Sequence, residues 1–324
     1  MRFTIKQMRY FDAALRNGSI ARAAEEMNIS QSSITAAIDL IEQTIGVELF
    51  RRVPAKGILP TPTGAQVGQR VASFLEQARL FESDLMSLTG DPTGTLRMAC
   101  YAPTAPYVLP PILKRIAQSY PDIRIDLTEG DMISIDELLK SGAVDVALTY
   151  RFALPHDRFF APLFKAQPWA ILPENSPLAQ AETVTLAQLA PLPMIVLDLP
   201  GATEYFLGLF EARGLSANVV HRTKSSSVLR GLVSAQFGYS ILNICGPSDR
   251  DGSAGYVVRP LVGMLESPVF GVAYAAPLQN SAIVRAVLRT RDELVAEGAM
   301  DHLLMPTVEE TALNVGIDTE NTVF

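Results

Sequence analysis

The chain has 324 residues, 48% of them hydrophobic and 19% charged, with a formal net charge of −7. That length exceeds a typical single domain, and two cysteines are too few for a disulfide framework. The acidic balance argues against diffuse binding to nucleic acid, no uninterrupted apolar run is long enough for a membrane span, and the start at Arg2 lacks a signal peptide, so a cytoplasmic location is expected.

In chain order, Met8, Phe11 and Leu15 fall on one helical face, and Gly18 is placed to close that helix in the left-handed conformation. Ser19 and Ser30 are N-cap residues for two further short helices. Ala23, Ala24 and Met27 offer a small, adaptable face, and Ile34, Ile38, Ile41 and Ile45 step by four, three and four residues, a buried stripe. Burying that stripe turns Gln31, Ser32, Ser33, Thr35, Ala36 and Asp39 outward, the first of them at the helix N-terminus. Two helices, a tight turn and a polar helix start form a helix-turn-helix, and a Gln amide there suits bidentate hydrogen bonding to adenine. The plainer alternative is a small helical bundle with a polar face. Segments 49–53 and 58–61 flank a tip at 54–57, a two-stranded wing whose Arg51, Arg52 and Lys56 suit phosphates.

Thr63-Gly-Ala-Gln66 has capping-box spacing and is expected to start a long helix. Val67, Val71, Phe74, Ala78, Phe81, Leu85 and Leu88 repeat along it as a heptad-like seam that ends at Gly90 and Pro92. Such a helix, on the order of 40 Å long, needs a partner: a second copy of the chain, or this chain's own C-terminal part.

Beyond residue 92 the pattern alternates. Strands are expected at 96–100, 123–127, 144–148, 169–172, 194–197, 219–223 and 239–243, with helices at 107–120, 134–141, 203–212, 226–235 and 280–297. Ligands of such α/β sheets gather at the carboxyl ends of strands. The residues there are Tyr101, Pro103, Thr104, Ala105, Thr149, Tyr150, Arg151, Asp198, Thr203, Thr223, Ser225 and Asn243, a candidate ligand pocket. Thr203 and Ser225 also read as caps of the following helices. Arg151, Lys224 and the helix N-termini would favour an anion and Asp198 an amino or hydroxyl group, so a zwitterion and a hydroxylated acid both fit.

Residues 1 to about 92 resemble the DNA-binding domain and linker helix of LysR-type transcriptional regulators. The likeness is carried by Phe11–Leu15, Gly18–Ala24, Ile29-Ser-Gln31, Ile38, Leu40-Ile-Glu42, Gly46–Arg51 and Leu59–Gly64. Ser32, Ala36 and Asp39 depart from it, standing where members often carry Pro, Arg and a basic residue. The rest of the chain is similar to the family's two-lobed effector domain, itself like type 2 periplasmic binding proteins. The resemblance implies a winged helix-turn-helix domain at 1–62, a dimerisation helix at 63–90, an effector domain at 93–302 and a tail at 303–324. Within the effector domain, lobe I covers about 93–163 and 268–302 and lobe II about 164–267. It implies a sequence-specific regulator of transcription, not an enzyme, whose partners are a duplex operator, a small-molecule effector, further copies of itself up to a tetramer, and RNA polymerase where it activates.

Residues 1–60 hold 8 Lys and Arg against 6 Asp and Glu, or +2, leaving 19 against 28, or −9, beyond residue 60. Negative charge therefore lies outside the DNA-reading segment. Cys100 and Cys245 read as core residues with no basic cluster nearby, a redox switch being the sharper alternative. His156, His221 and His302 are scattered without metal-ligand spacing, and no phosphate loop, GxGxxG or nucleophile elbow occurs, so no cofactor is expected. Two other classes stay open: an enzyme or solute receptor built on the α/β body, and an architectural DNA-binding protein indifferent to metabolites.

Overall fold

The computed structural model describes residues 3–53, 57–86, 92–156, 158–263, 267–275, 278–279 and 281–304. The chain divides into two compact units, Met1–Gly90 with Ser141–Ala143, and Asp91–Lys140 with Val144–Phe324.

In the first unit, α1 (Ile5–Asn17) opens on a Thr4–Gln7 capping box and closes at Gly18, whose φ of 59° is left-handed as expected. Helix α2 (Ile20–Glu26) starts at Ser19, which accepts the Arg22 N–H. The turn passes through Asn28 at φ 52°, a conformation Asn tolerates, and the Ile29 N–H returns to the Ala24 carbonyl. Helix α3 (Gln31–Ile45) is capped by Ser30, which accepts the Ser33 N–H, and stops at left-handed Gly46. Phe11, Ala23, Ile34, Ile41 and Leu49 are buried at the centre of this core. Ile45 departs from the expected stripe at 41% exposure, because the last turn of α3 runs past the edge of the core.

Strands β1 (Phe50–Val53) and β2 (Gly57–Pro60) pair antiparallel as the wing. A Cβ at Gly57 would lie 2.4 Å from the Gly18 carbonyl oxygen, and the Ile58 N–H donates to that oxygen at 3.0 Å. Only glycine lets the wing sit this close to the helix-turn-helix. The wing tip with Lys56 lies outside the described residues.

Helix α4 (Pro62–Met86) begins one cap earlier than expected. Thr61, not Thr63, accepts the Gly64 N–H at 2.9 Å, and Pro62 takes the first helical position, where no N–H is needed. Its early apolar residues Val67, Val71, Phe74 and Leu75 pack on the unit's own core, while Phe81 is 65% and Leu85 47% exposed. Leu88 lies outside the described residues.

The second unit runs β3 (Gly94–Tyr101), α5 (Ala105–Ser119), β4 (Ile123–Gly130), α6 (Met132–Ser141), β5 (Val146–Tyr150), β6 (Phe159–Lys165), β7 (Trp169–Pro173), β8 (Val184–Thr185), α7 (Leu186–Leu189), β9 (Pro193–Leu197), α8 (Ala202–Glu211), β10 (Asn218–Thr223), α9 (Ser226–Ser234), β11 (Ser240–Leu242), α10 (Pro247–Arg250), β12 (Tyr256–Val262), β13 (Val269–Tyr274) and α11 (Ala282–Ala296). One mixed sheet has the order β4-β3-β5-β13-β6 and a second β11-β7-β12-β8, with β10-β9 tied to the second by a Met194–Tyr239 bridge. The chain crosses between the sheets after β6 and again after β12. Strands β5 and β7 are buried throughout, as expected of strands covered on both faces.

Every expected strand and helix is present within a few residues, but β6, β8, β12, β13 and the one-turn helices α7 and α10 were not anticipated. Pro162, Pro260 and Gly271 interrupt the strand signal. Gly271 is required there, since a Cβ would meet the Ala161 carbonyl oxygen at 2.3 Å, at a register shift between β13 and β6.

Candidate DNA-reading face and effector cleft

At the start of α3, Ser30, Gln31, Ser32 and Ala36 are exposed, and Ser33 and Thr35 are half-buried. The Ser30 hydroxyl lies 2.8 Å from that of Ser32 and 2.9 Å from that of Ser33, so the cap also orders its neighbours. Thr35 Oγ1 donates to the Gln31 carbonyl at 3.0 Å. Helix α3 carries no Lys or Arg. Its charged face is Asp39 and Glu42, and Glu42 Oε1 is taken up by the Leu49 and Phe50 N–H groups at 2.6 and 3.1 Å. Exposed cations are supplied instead by Arg51 and Arg52 on β1.

In the second unit, a cleft with about 390 Å³ of empty space, part of it open to solvent, lies at the carboxyl ends of β3, β5 and β9. Five of the expected residues line it: Tyr101, Pro103, Thr104, Tyr150 and Asn243. Thr104 is buried and its hydroxyl donates to the Tyr101 carbonyl at 2.8 Å rather than capping α5. Burial pushes the Tyr101 and Tyr150 hydroxyls above the usual phenol range, Tyr150 well above it.

The other expected residues are placed elsewhere. Ala105 and Thr149 are buried beside the cleft without lining it. Arg151 turns away, donating to the Pro155 and His156 carbonyls at 3.0 and 3.3 Å. Asp198 forms an exposed ion pair with Arg222 at 3.1 Å. Gly201, not Thr203, caps α8, and Thr203 Oγ1 donates to the Leu197 carbonyl. Ser225 caps α9 through the Val228 N–H, as expected, and Ser225 and Lys224 are exposed while Thr223 is half-buried. Thr223 ends β10, which pairs with β9, Lys224 and Ser225 follow it, and the segment first meets the cleft one residue later, at Ser226.

Met132, Leu197, Ala202, Tyr205, Phe206, Ser226, Arg230, Leu242 and Ile244 line the cleft and were missed. The overlooked signal was the aromatic pair Tyr205-Phe206 in the first turn of a helix that follows a strand end. Phe152 stacks between Tyr150 and Tyr205, with ring centres 5.5 and 5.0 Å apart. Arg230 is held by Asp249, through Nε to Oδ1 at 2.6 Å and Nη2 to Oδ2 at 3.0 Å. Burial is the largest single effect and opposes the Arg230 charge, but the hydrogen bond to Asp249 and the attraction of its carboxylate, with smaller help from Tyr107 and Tyr256, together outweigh it and the guanidinium pKa is raised.

Both cysteines are buried, and burial lifts Cys100 to about 12 and Cys245 to about 11. At Cys245 a single guanidinium lies close by, Arg250 Nε donating to Sγ at 3.4 Å. Desolvation outweighs that guanidinium, so the thiol stays protonated. Among the described residues, no cluster of His, Cys, Asp and Glu is placed to hold a metal ion, and no helix is long and apolar enough to cross a membrane.

Comparison with known proteins agrees with both halves. Residues 5–65 match the family described as bacterial regulatory helix-turn-helix protein, lysR family, and residues 89–294 match the LysR substrate binding domain. The chain is 29% identical over 250 residues to the uncharacterized HTH-type transcriptional regulator YnfL of Escherichia coli, covering 75% of this chain and 82% of that one. The structure of a putative LysR family transcriptional regulator from Pseudomonas aeruginosa superposes with a TM-score of 0.58 at 29% identity, covering 91% of this chain and all (100%) of the other. Full-length OxyR from the same organism gives a TM-score of 0.70 at 19% identity, with 89% and 97% covered, a likeness of fold. With its helix-turn-helix and its substrate-binding domain both matched, the chain belongs to the LysR family of transcriptional regulators.

Proposed function

We propose that the protein reads a two-fold-related operator through the start of α3 and the wing, and that a small molecule in the ring-lined cleft sets the outcome. The observation that carries this reading is the pairing, on one chain, of an exposed, capped and polar helix start with a cleft at converging strand ends. Gln31, Ser32 and Ala36 would face base edges, Ser30, Ser33 and Thr35 would order that face and reach phosphates, and Arg51, Arg52 and Lys56 would anchor the backbone. Tyr101, Pro103, Thr104, Tyr150 and Asn243 would hold the effector.

The exposed Phe81 and Leu85 favour pairing of α4 with a second copy, which would bring two α3 helices to half-sites about one DNA turn apart. The family resemblance supports assembly to a tetramer and, where the protein activates, contact with RNA polymerase, with no catalytic step, in the cytoplasm. Effector binding would shift the population between two lobe arrangements and so alter the spacing of the paired helices.

Selection from a randomised duplex library, followed by titration of the winning duplex with and without a low-molecular-weight cell extract, tests the reading. It predicts a symmetric site and an affinity or bend that changes with the extract. A site without symmetry, or DNA binding unmoved by any extract, contradicts it.

A further inference from the structure

We propose that the cleft's ligand is an uncharged, flat ring compound that presents an N–H or O–H donor to Asn243. This rests on the cleft being the effector site. Asn243 is 7% exposed, lines the cleft and has an Oδ1 with no hydrogen-bond partner. Its amide is bonded to the Tyr150 hydroxyl. Because Oδ1 is unpartnered, that bond runs from the amide nitrogen to Tyr150 Oη. A buried acceptor of this kind is satisfied only by a donor, and a carboxylate placed there would set acceptor against acceptor.

The charge around the cleft points the same way. The cation of the lining, Arg230, is matched by the two oxygens of Asp249, and Arg151 is directed at backbone carbonyls outside it. An anion would meet no unpaired side-chain cation among the described residues of the lining. The walls are ring faces and edges: Tyr101 stands edge-on to Tyr150, and Phe206 edge-on to Tyr205. Flat rings slot against such surfaces in offset or edge-to-face geometry.

The test is isothermal titration of the full-length protein at neutral pH with indole, benzofuran and 1-naphthoate. Indole and benzofuran share a shape, and only indole carries the N–H donor. Indole is expected to bind at least about tenfold tighter than benzofuran, with naphthoate weaker than indole. In Asn243→Leu the preference for indole over benzofuran is expected to vanish while both still bind. Equal binding of indole and benzofuran by the unaltered protein overturns the proposal, as does naphthoate binding tightest. That last result would leave the effector reading standing with a different ligand class. Failure of all three probes also overturns it, and the extract titration then decides separately whether the cleft holds an effector at all.

Discussion

Replacing Asp249 by asparagine removes the acceptor on which the floor of the cleft is built. The two carboxylate oxygens of Asp249 receive four donors: Arg230 Nε at 2.6 Å, Arg230 Nη2 at 3.0 Å, the Tyr256 hydroxyl at 2.8 Å and the Gly246 N–H at 2.9 Å. Asparagine keeps the shape, offers a single acceptor oxygen and turns an amide N–H₂ toward donors. Arg230, with a side chain 14% exposed, is left as an uncompensated buried charge. Loss of one partner from such a pair costs about 3–5 kcal/mol. For a unit of this size each kcal/mol lowers Tm by about 2–4 °C, so Asp249→Asn should drop the midpoint by on the order of 6–20 °C. Trp169 is the only tryptophan and is buried in the same core cluster as Tyr256, so its fluorescence follows this unit through thermal unfolding. The double replacement Arg230→Met with Asp249→Leu should recover most of what Asp249→Leu alone loses, because no orphan charge remains. Arg115→Ala, which breaks an exposed pair with Glu293 and Glu297, should leave the midpoint where it is. A fall of less than about 2 °C for Asp249→Asn would refute the reasoning, as would a double variant less stable than Asp249→Leu.

Stability should decline as pH rises above about 9. Burial holds Cys100 and Cys245 protonated to about 12 and about 11 and raises Tyr101, Tyr150, Tyr239 and Tyr256. The unfolded chain sheds these protons first, which favours unfolding between the unfolded and folded pKa values; a Tm that is flat or rising through that window would contradict this. For the same reason, iodoacetamide at pH 8 should leave both thiols unmodified in the native protein and alkylate both after denaturation. Gly57→Val should loosen the wing and weaken duplex binding, because its Cβ would collide with the Gly18 carbonyl at φ 85°, and unchanged binding with unchanged Tm would exclude that constraint. Phe81→Asp with Leu85→Asp should reduce the assembly in sedimentation and leave the fold of each unit intact, whereas an unchanged sedimentation profile would remove α4 from the interface.

The helix-turn-helix was legible because its signals are local. Gly18, Ser19, Ser30 and Gly46 each mark a helix end through their own backbone preferences, and Ile34, Ile38 and Ile41 mark one face by spacing alone. The cap of α4 was misplaced because Thr61 and Thr63 are both good caps; the register is set by Leu49, whose carbonyl lies against Gly64. The cleft was legible only where a strand ended in it directly, as at Tyr101 and Tyr150. Tyr205, Phe206 and Arg230 reach it from helix faces whose direction depends on how α8 and α9 pack against β9, a long-range fact that spacing along the chain does not carry. Arg151 and Asp198 look like ligand groups in sequence, but the fold gives each a partner of its own, two carbonyls for one and Arg222 for the other.

The most direct measurement is equilibrium binding of Gln31→Ala and Arg52→Ala to the selected duplex and to its single-base variants across a range of salt. If α3 reads bases and the wing holds phosphates, Gln31→Ala should erase a preference worth about 1–3 kcal/mol at one position in each half-site and leave the salt slope unchanged. Arg52→Ala should instead weaken all duplexes alike and reduce the slope by about 1 per wing. Unchanged base preference in Gln31→Ala together with an unchanged slope in Arg52→Ala would place DNA recognition on another surface of the protein.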